Sequence, residues 1–293
     1  ASSPSLDARL LLEMVTGLDQ ASQLVHYQRV LTPAELALLT QLRSKRLDHQ
    51  PMAYIRGIKE FWGRTFAVDH RVLIPRADTE TLVETVLSYV RTKRSEEFLP
   101  IIDLCTGSGA IGITLAAELG VEVTLSDKSG DALAVADGNA RSILSRPLPL
   151  IEDDLLYNCT AKYGIIVSNP PYLTPAWIEA VSREVGWEPR MALDGQSDDG
   201  LALIRVLIEQ STAHLKDGGA LFLECDRRQA EEIARLMRSA SFGEVQVVRD
   251  LAGLERFNDR IGWLSIGRKR PVPHESWFQV AGYFYYYGHF YAA

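Results

Sequence analysis

Ile101-Ile102-Asp103-Leu104-Cys105-Thr106-Gly107-Ser108-Gly109-Ala110-Ile111-Gly112 reads as a short apolar strand, a glycine-rich turn and the start of a helix. A strand that is apolar without alternation belongs inside a parallel sheet covered on both faces. Glycine is needed where backbone must approach a ligand closely or take a positive φ, and the unpaired amides at the helix start then face that ligand. Asp127 follows Gly107 by twenty residues, at the end of the next expected strand. A carboxylate there can accept both hydroxyls of an adenosine ribose.

Residues 107–112 also spell G-x-G-x-x-G, so a nicotinamide enzyme and a purely structural turn are both readings of the hexapeptide alone. Asp103, four residues before the first glycine, separates them. A dinucleotide site has glycine-rich backbone there to make room for a pyrophosphate. In methyltransferases an acidic residue at this place helps hold the turn and the methionine part of S-adenosylmethionine. The expected cofactor set is Asp103, Thr106, Gly107, Ser108, Gly109 and Asp127, with Asp153 and Asp154 after the third strand as acceptors for the adenine amine or as a solvated turn.

Ile165-Ile166-Val167-Ser168-Asn169-Pro170-Pro171-Tyr172 follows the fourth strand. Ligands of open α/β sheets bind at the carboxyl ends of the strands, so this loop is expected beside the glycine turn rather than as a mere double-proline stop. An amide or aromatic amine nitrogen is a poor nucleophile because its lone pair is delocalised. The Asn169 side-chain oxygen and the Pro170 carbonyl can each accept one N–H of such a target, which aims the lone pair at a sulfonium methyl by positioning alone. Pro170 and Pro171 fix φ at both positions and stiffen that carbonyl. Tyr172 offers a flat face for stacking. Asn169, Pro170, Pro171 and Tyr172 are the expected catalytic residues, Asn169 also touching the cofactor. No metal site is expected, and no separate base is needed, because the proton can leave after methyl transfer.

Around these motifs the chain alternates strand and helix. Strands are expected at Ile101–Leu104, Val121–Leu125, Leu148–Ile151, Ile165–Ser168, Ala220–Leu223, Val245–Val248 and Trp263–Ile266, with helices around 110–118, 130–143, 200–215 and 228–240. That order predicts a mostly parallel sheet. Upstream, residues 61–74 predict a hairpin with turns at Gly63-Arg64 or Asp69-His70, and Asp78 or Thr79 opens a helix through Val90. The first fifty residues predict helices: Thr32-Pro33-Ala34-Glu35 is a capping box with proline at the first helical position, and that helix is expected to end near His49-Gln50-Pro51. The expected division is 1–57 helical, 58–75 hairpin linker, 76–270 sheet domain and 271–293 an aromatic tail, read as a stacking platform or an added strand.

Composition bounds the rest. The 293 residues are 46% hydrophobic and 24% charged with a net charge of −7, ordinary for a globular chain and poor for one that holds nucleic acid on a broad basic surface. Cys105, Cys159 and Cys225 are too scattered for a zinc site or a disulfide framework. Neither a signal-like leader nor a membrane-length apolar run is apparent, so a cytoplasmic protein is expected.

The whole pattern, from about Leu6 to Gly267, resembles the release-factor glutamine methyltransferases, the HemK-like family. The resemblance rests on Gln50-Pro51-Met52-Ala53-Tyr54-Ile55-Arg56-Gly57 with Glu60-Phe61-Trp62, on Leu73-Ile74-Pro75-Arg76-Ala77-Asp78-Thr79-Glu80, on the two motifs above, and on Glu188-Pro189, Ala192-Leu193 and Asp199-Gly200-Leu201. It implies a Rossmann-like, seven-stranded methyltransferase sheet with its last strand antiparallel, and a helical N-terminal domain that helps dock a peptide-chain release factor. It also implies S-adenosylmethionine as cofactor and the glutamine of a Gly-Gly-Gln loop as acceptor, with Asn169 and Pro170 holding its amide. A monomer without stable nucleic-acid or membrane binding is expected. Cys105, where glycine is usual, Ala77, where proline is common, and Glu224-Cys225-Asp226 depart from the pattern. An adenine or guanine methyltransferase acting on nucleic acid, and a non-catalytic module with a vestigial pocket, are the competing readings.

Overall fold

In the computed structural model, which describes residues 4–248, the chain forms two compact units. One comprises residues 4–58 with Val181–Trp187, the other Lys59–Ala180 with residues 188–248.

The first unit holds four helices: α1 (Pro4–Thr16), α2 (Gln20–Val25), α3 (Pro33–Leu47) and α4 (Met52–Arg56). The capping box forms as expected: Thr32 Oγ1 accepts from Glu35 N at 3.3 Å and Glu35 Oε2 accepts from Thr32 N at 2.8 Å. α3 stops at Leu47 with Asp48 as its cap, before the expected His49-Gln50-Pro51, because Asp48 and His49 already turn back onto the helix carbonyls. Leu10, Leu11, Leu42, Met52 and Ile55 make the core of this unit. Arg46 holds Asp7 at 2.8 Å and Glu184 at 2.6 Å, and Trp187 Nε1 donates to the Asp48 carbonyl at 3.2 Å. Val181–Trp187 is thus built into the helical unit.

The hairpin is β1 (Ile58–Phe61) and β2 (Arg64–Ala67), shorter than expected and starting earlier. Trp62 and Gly63 form its turn, both with positive φ, the geometry that matches strand twist. Val68, Val72 and Ile74 are buried but lie outside any strand: after Ala67 the chain gains its burial from the core without a strand to pair with. α5 (Thr79–Val90) begins where Asp78 or Thr79 suggested, with Asp78 as cap residue. A short α6 (Ser95–Phe98) leads into the sheet.

Five strands follow, β3 (Ile101–Leu104), β4 (Val123–Asp127), β5 (Leu150–Glu152), β6 (Tyr163–Ser168) and β7 (Leu215–Leu223), in the spatial order β5-β4-β3-β6-β7 and all parallel. Adjacent residues of a strand face opposite ways, so Ile101 and Ile165 join one core layer with Val83, Val86 and Ile113, while Ile102 and Ile166 join the other with Leu156 and Leu207. α7 (Ala110–Leu119), α8 (Gly130–Leu144), α9 (Pro175–Ala180), α10 (Ala202–His214) and α11 (Ala230–Ser239) supply the remaining helices. Of the seven expected strands five are described. Val245–Val248 forms no strand among the described residues, and the expected strand Trp263–Ile266 lies outside them, as does the aromatic tail. None of the described helices is long and apolar enough to cross a membrane.

The strand order reverses at β3, whose neighbours are β4 on one side and β6 on the other. The loops after β3 and β6 therefore leave the sheet in opposite directions and open a crevice between them. The loop after β6 is fastened by backbone: Leu173 N donates to Leu193 O at 2.8 Å, Gly195 N donates to Leu173 O at 2.9 Å, and Gln229 Nε2 donates to Tyr172 O at 2.9 Å and to Asp199 O at 2.8 Å. Gly200, at φ +71°, sits so close that a Cβ there would lie 2.2 Å from the Tyr172 carbonyl oxygen. Backbone cannot yield as a flexible side chain can, and a left-handed φ adds strain for any other residue. Gly200→Ala is therefore expected to lower unfolding stability by about 2–4 kcal/mol, read as an earlier urea midpoint; an unchanged midpoint would refute this packing.

Candidate active site

The glycine turn is held from below by Asp103. This residue is fully buried, and its Oδ2 accepts from Thr106 Oγ1 at 2.6 Å and from Gly112 N at 2.8 Å. One carboxylate oxygen thus ties the start of the turn to the first turn of α7. Its Oδ1 has no hydrogen-bond partner. Burial pushes the Asp103 carboxyl up to about 7, the Asp127 charge adding to the rise, while Thr106 and Gly112 pull it down.

Asp127 closes the turn from the side. Its Oδ2 accepts from Gly107 N and its Oδ1 from Ser129 N, each at 2.9 Å. Each oxygen keeps a further lone pair, so the carboxylate can still take two hydroxyls. Gly107 has φ +54° and a Cβ there would meet nothing, so its backbone fronts open space. Cys105 takes φ +55° with a side chain present, a conformation that favours glycine. Burial pushes its thiol up to about 12, which disfavours the thiolate.

Gly107, Asp127, Asp153, Asp154, Asn169 and Pro171 line one cleft. The structure thus gathers residues from four separate strand ends. Asp103, Thr106 and Ser108 are buried. Gly109 caps α7 at φ +80°. Asp153 is not in a solvated turn: it is buried, and its carboxylate accepts from Asp154 N and from both Asn158 N and Asn158 Nδ2. That leaves Asp153 holding its own loop, with Asp154 exposed and paired to Lys128 at 2.6 Å. Tyr172 is not brought into the cleft; it packs on the cluster of Leu201, Ile204, Ile208 and Ile233. Pro170 is buried.

Sequence reading passed over four contributors. Asn139 on α8 is buried, accepts from Ala67 N at 2.7 Å, and donates to Ala67 O at 3.0 Å and to Ser108 O at 2.9 Å. It joins the hairpin to the glycine turn. An amide lying between Ala136 and Ala140 on the apolar side of a helix was the available signal. Leu155, Met191 and Leu203 supply apolar wall, and nothing local in the sequence marks them as part of a site.

Family models match at both ends of this architecture: the PrmC N-terminal domain over residues 1–57 and the methyltransferase small domain over residues 79–185. The release factor glutamine methyltransferase of Bordetella pertussis is 40% identical over 261 residues, covering 87% of this chain and 94% of that protein. That of Escherichia coli is 34% identical over 258 residues, covering 87% and 91%. Among solved structures, the ribosomal protein L11 methylase of Lactobacillus delbrueckii superposes with a TM-score of 0.44 at 19% identity, covering 62% of this chain and 80% of that one.

Because Asp103 is held near 7, from the ordinary carboxylate range up to about pH 7 the folded state keeps a proton that the unfolded state has released. Stability then falls as pH rises through that window and levels off above it. Asp103→Asn stays neutral throughout, so its Tm relative to wild type is expected to rise by at least ~3 °C between pH 5 and pH 8. Parallel Tm curves would contradict the burial argument.

Proposed function

The chain belongs to the release factor glutamine methyltransferase family, and on that premise we propose that it methylates the side-chain amide nitrogen of the glutamine in the Gly-Gly-Gln motif of a peptide-chain release factor. The methyl donor is S-adenosylmethionine, which supplies an electrophilic methyl on a sulfonium sulfur. The observation that carries the reading is that Asn169 lines the same cleft as Asp127 and Gly107. An amide acceptor and a nucleoside-type site share one chamber.

The residues suit that donor. Asp127 has a lone pair to spare on each oxygen for a ribose, and the Gly107 backbone leaves room beside it. Leu155 offers an apolar wall for the base, and Asp154 lies at the cleft for a polar edge. Asp153 contributes by keeping the 154–158 loop in place rather than by offering free oxygens. On the acceptor side, Asn169 and the Pro170 carbonyl would take the two N–H groups of the target amide. Holding both protons on one side turns the nitrogen lone pair toward the methyl group, a gain in orientation rather than in acid–base chemistry. The helical unit containing residues 1–57 is assigned to docking the factor, and Tyr172 to supporting the loop from α10 and α11 rather than stacking on the target.

The test is transfer of radiolabelled methyl from S-adenosylmethionine to purified release factor, beside a factor whose loop glutamine is changed to alanine. Label on the first alone is the expected result; label on neither, with donor binding intact, would overturn the acceptor. Asn169→Ala is expected to lower kcat by at least ~100-fold with donor affinity largely kept, measured by titration calorimetry.

A further inference from the structure

The Asn169 side chain has two ends of nearly the same shape and opposite hydrogen-bonding sense. Only one of them helps. With its oxygen toward a target –NH₂ it accepts a proton; with its own –NH₂ there, two donors would face each other. Something must set the sense of the amide, and the surroundings of Asn169 supply it.

Asn169 Nδ2 donates to Thr79 Oγ1 at 3.4 Å. Thr79 is the first residue of α5 and is buried. A hydroxyl that accepts there must direct its own proton elsewhere. Glu224, the residue after β7, is the group at hand: its backbone N–H donates to the carbonyl of Ser168, the residue before Asn169, at 3.0 Å. Thr79 and Asn169 both pull its carboxyl toward the charged form. Glu224 Oε2 is sealed from solvent and has no hydrogen-bond partner. An ionised carboxylate only accepts, so donors must run toward it.

The charged groups acting on this carboxyl are Asp78, which raises it, and Arg76, which lowers it. Arg76 is itself engaged by Glu188, whose Oε2 accepts from Ile74 N at 3.1 Å. Burial is the largest influence and takes the Glu224 carboxyl up to about 7. A sealed oxygen without a donor favours any neighbouring N–H or O–H that turns its way.

We propose that Thr79 and Glu224 are positioning residues that fix the sense of the Asn169 amide, drawing its –NH₂ away from the cleft and leaving Oδ1 turned toward the acceptor nitrogen. The inference rests on the reading of Asn169 as the holder of the target amide. Thr79 and Glu224 act through Asn169 and do not touch the methyl donor.

The test is steady-state kinetics on purified release factor with full-length variants, alongside S-adenosylmethionine binding. Thr79→Val keeps the shape and loses the hydroxyl. It is expected to lower kcat by at least ~10-fold while KM for the factor and Kd for the donor stay within about twofold. Thr79→Ser restores the hydroxyl and is expected to return kcat to within about threefold of wild type. Glu224→Gln, which puts a donor end among donors, is expected to fall in the same manner as Thr79→Val. A Thr79→Val enzyme within about twofold of wild-type kcat overturns the proposal, as does equal impairment of the Val and Ser variants. Should Thr79→Val lose donor binding, and with it the fold, Glu224→Gln decides: full kcat there overturns the proposal. Inactivity of the wild type on the factor removes the acceptor reading and this inference together, an outcome distinct from an active wild type with unaffected variants.

Discussion

A buried carboxylate without water is unfavourable unless donors surround it, and Asp103 has donors on one oxygen only. Those two donors, Thr106 Oγ1 and Gly112 N, come from either side of the glycine turn. The cost of burying the group is therefore tied to the shape of the turn: if the turn opens, Asp103 loses the contacts that make its burial tolerable. Asp127 repeats the device at lower depth, through Gly107 N and Ser129 N. Asn139 adds the hairpin to the same frame through Ser108. The cleft is thus framed by polar groups that hold backbone, and those groups are stabilised only while the backbone stays where it is.

Much of this was legible because it is periodic or local. The strand–turn–helix at residues 101–119 is written in apolar residues and glycines within one stretch, and the parallel sense of the sheet follows from alternation with helices. The capping box at Thr32 needs only four residues to be seen. What escaped depends on contacts across the chain. β7 begins at Leu215, five residues before the apolar run at Ala220, because Tyr163 pairs with Leu215 and the pairing then slips before Ile165 meets Ala220. The expected hairpin extends beyond the real one because Val72 and Ile74 are as apolar as any strand residue, yet they pack without pairing. The packing of Tyr172 on α10 and α11 is equally invisible locally, because Ile204, Ile208 and Ile233 lie thirty or more residues away in sequence.

The two carboxyls held near 7, Asp103 and Glu224, sit behind the two halves of the site, one under the turn and one behind the asparagine. Neither lines the cleft. Asp103 takes donors that carry the backbone of the turn, and Glu224 is joined through its own backbone to Ser168, the residue before the asparagine. This division separates groups that meet small molecules from groups that keep them aimed, and among the described residues no histidine lines the cleft.

Val181–Trp187 has a consequence for recombination. Arg46 and Asp48 anchor this segment to the N-terminal helices, although it is encoded far downstream of them. A gene cut after Gly57 would strand Glu184 and Trp187 on one fragment and their partners on the other. Exchange of the helical unit between relatives is therefore not a single-crossover event: a chimera that keeps these contacts must inherit two separated stretches from the same parent. Variation at Arg46 is accordingly constrained by a position nearly one hundred and forty residues away, which neither stretch would disclose when read alone.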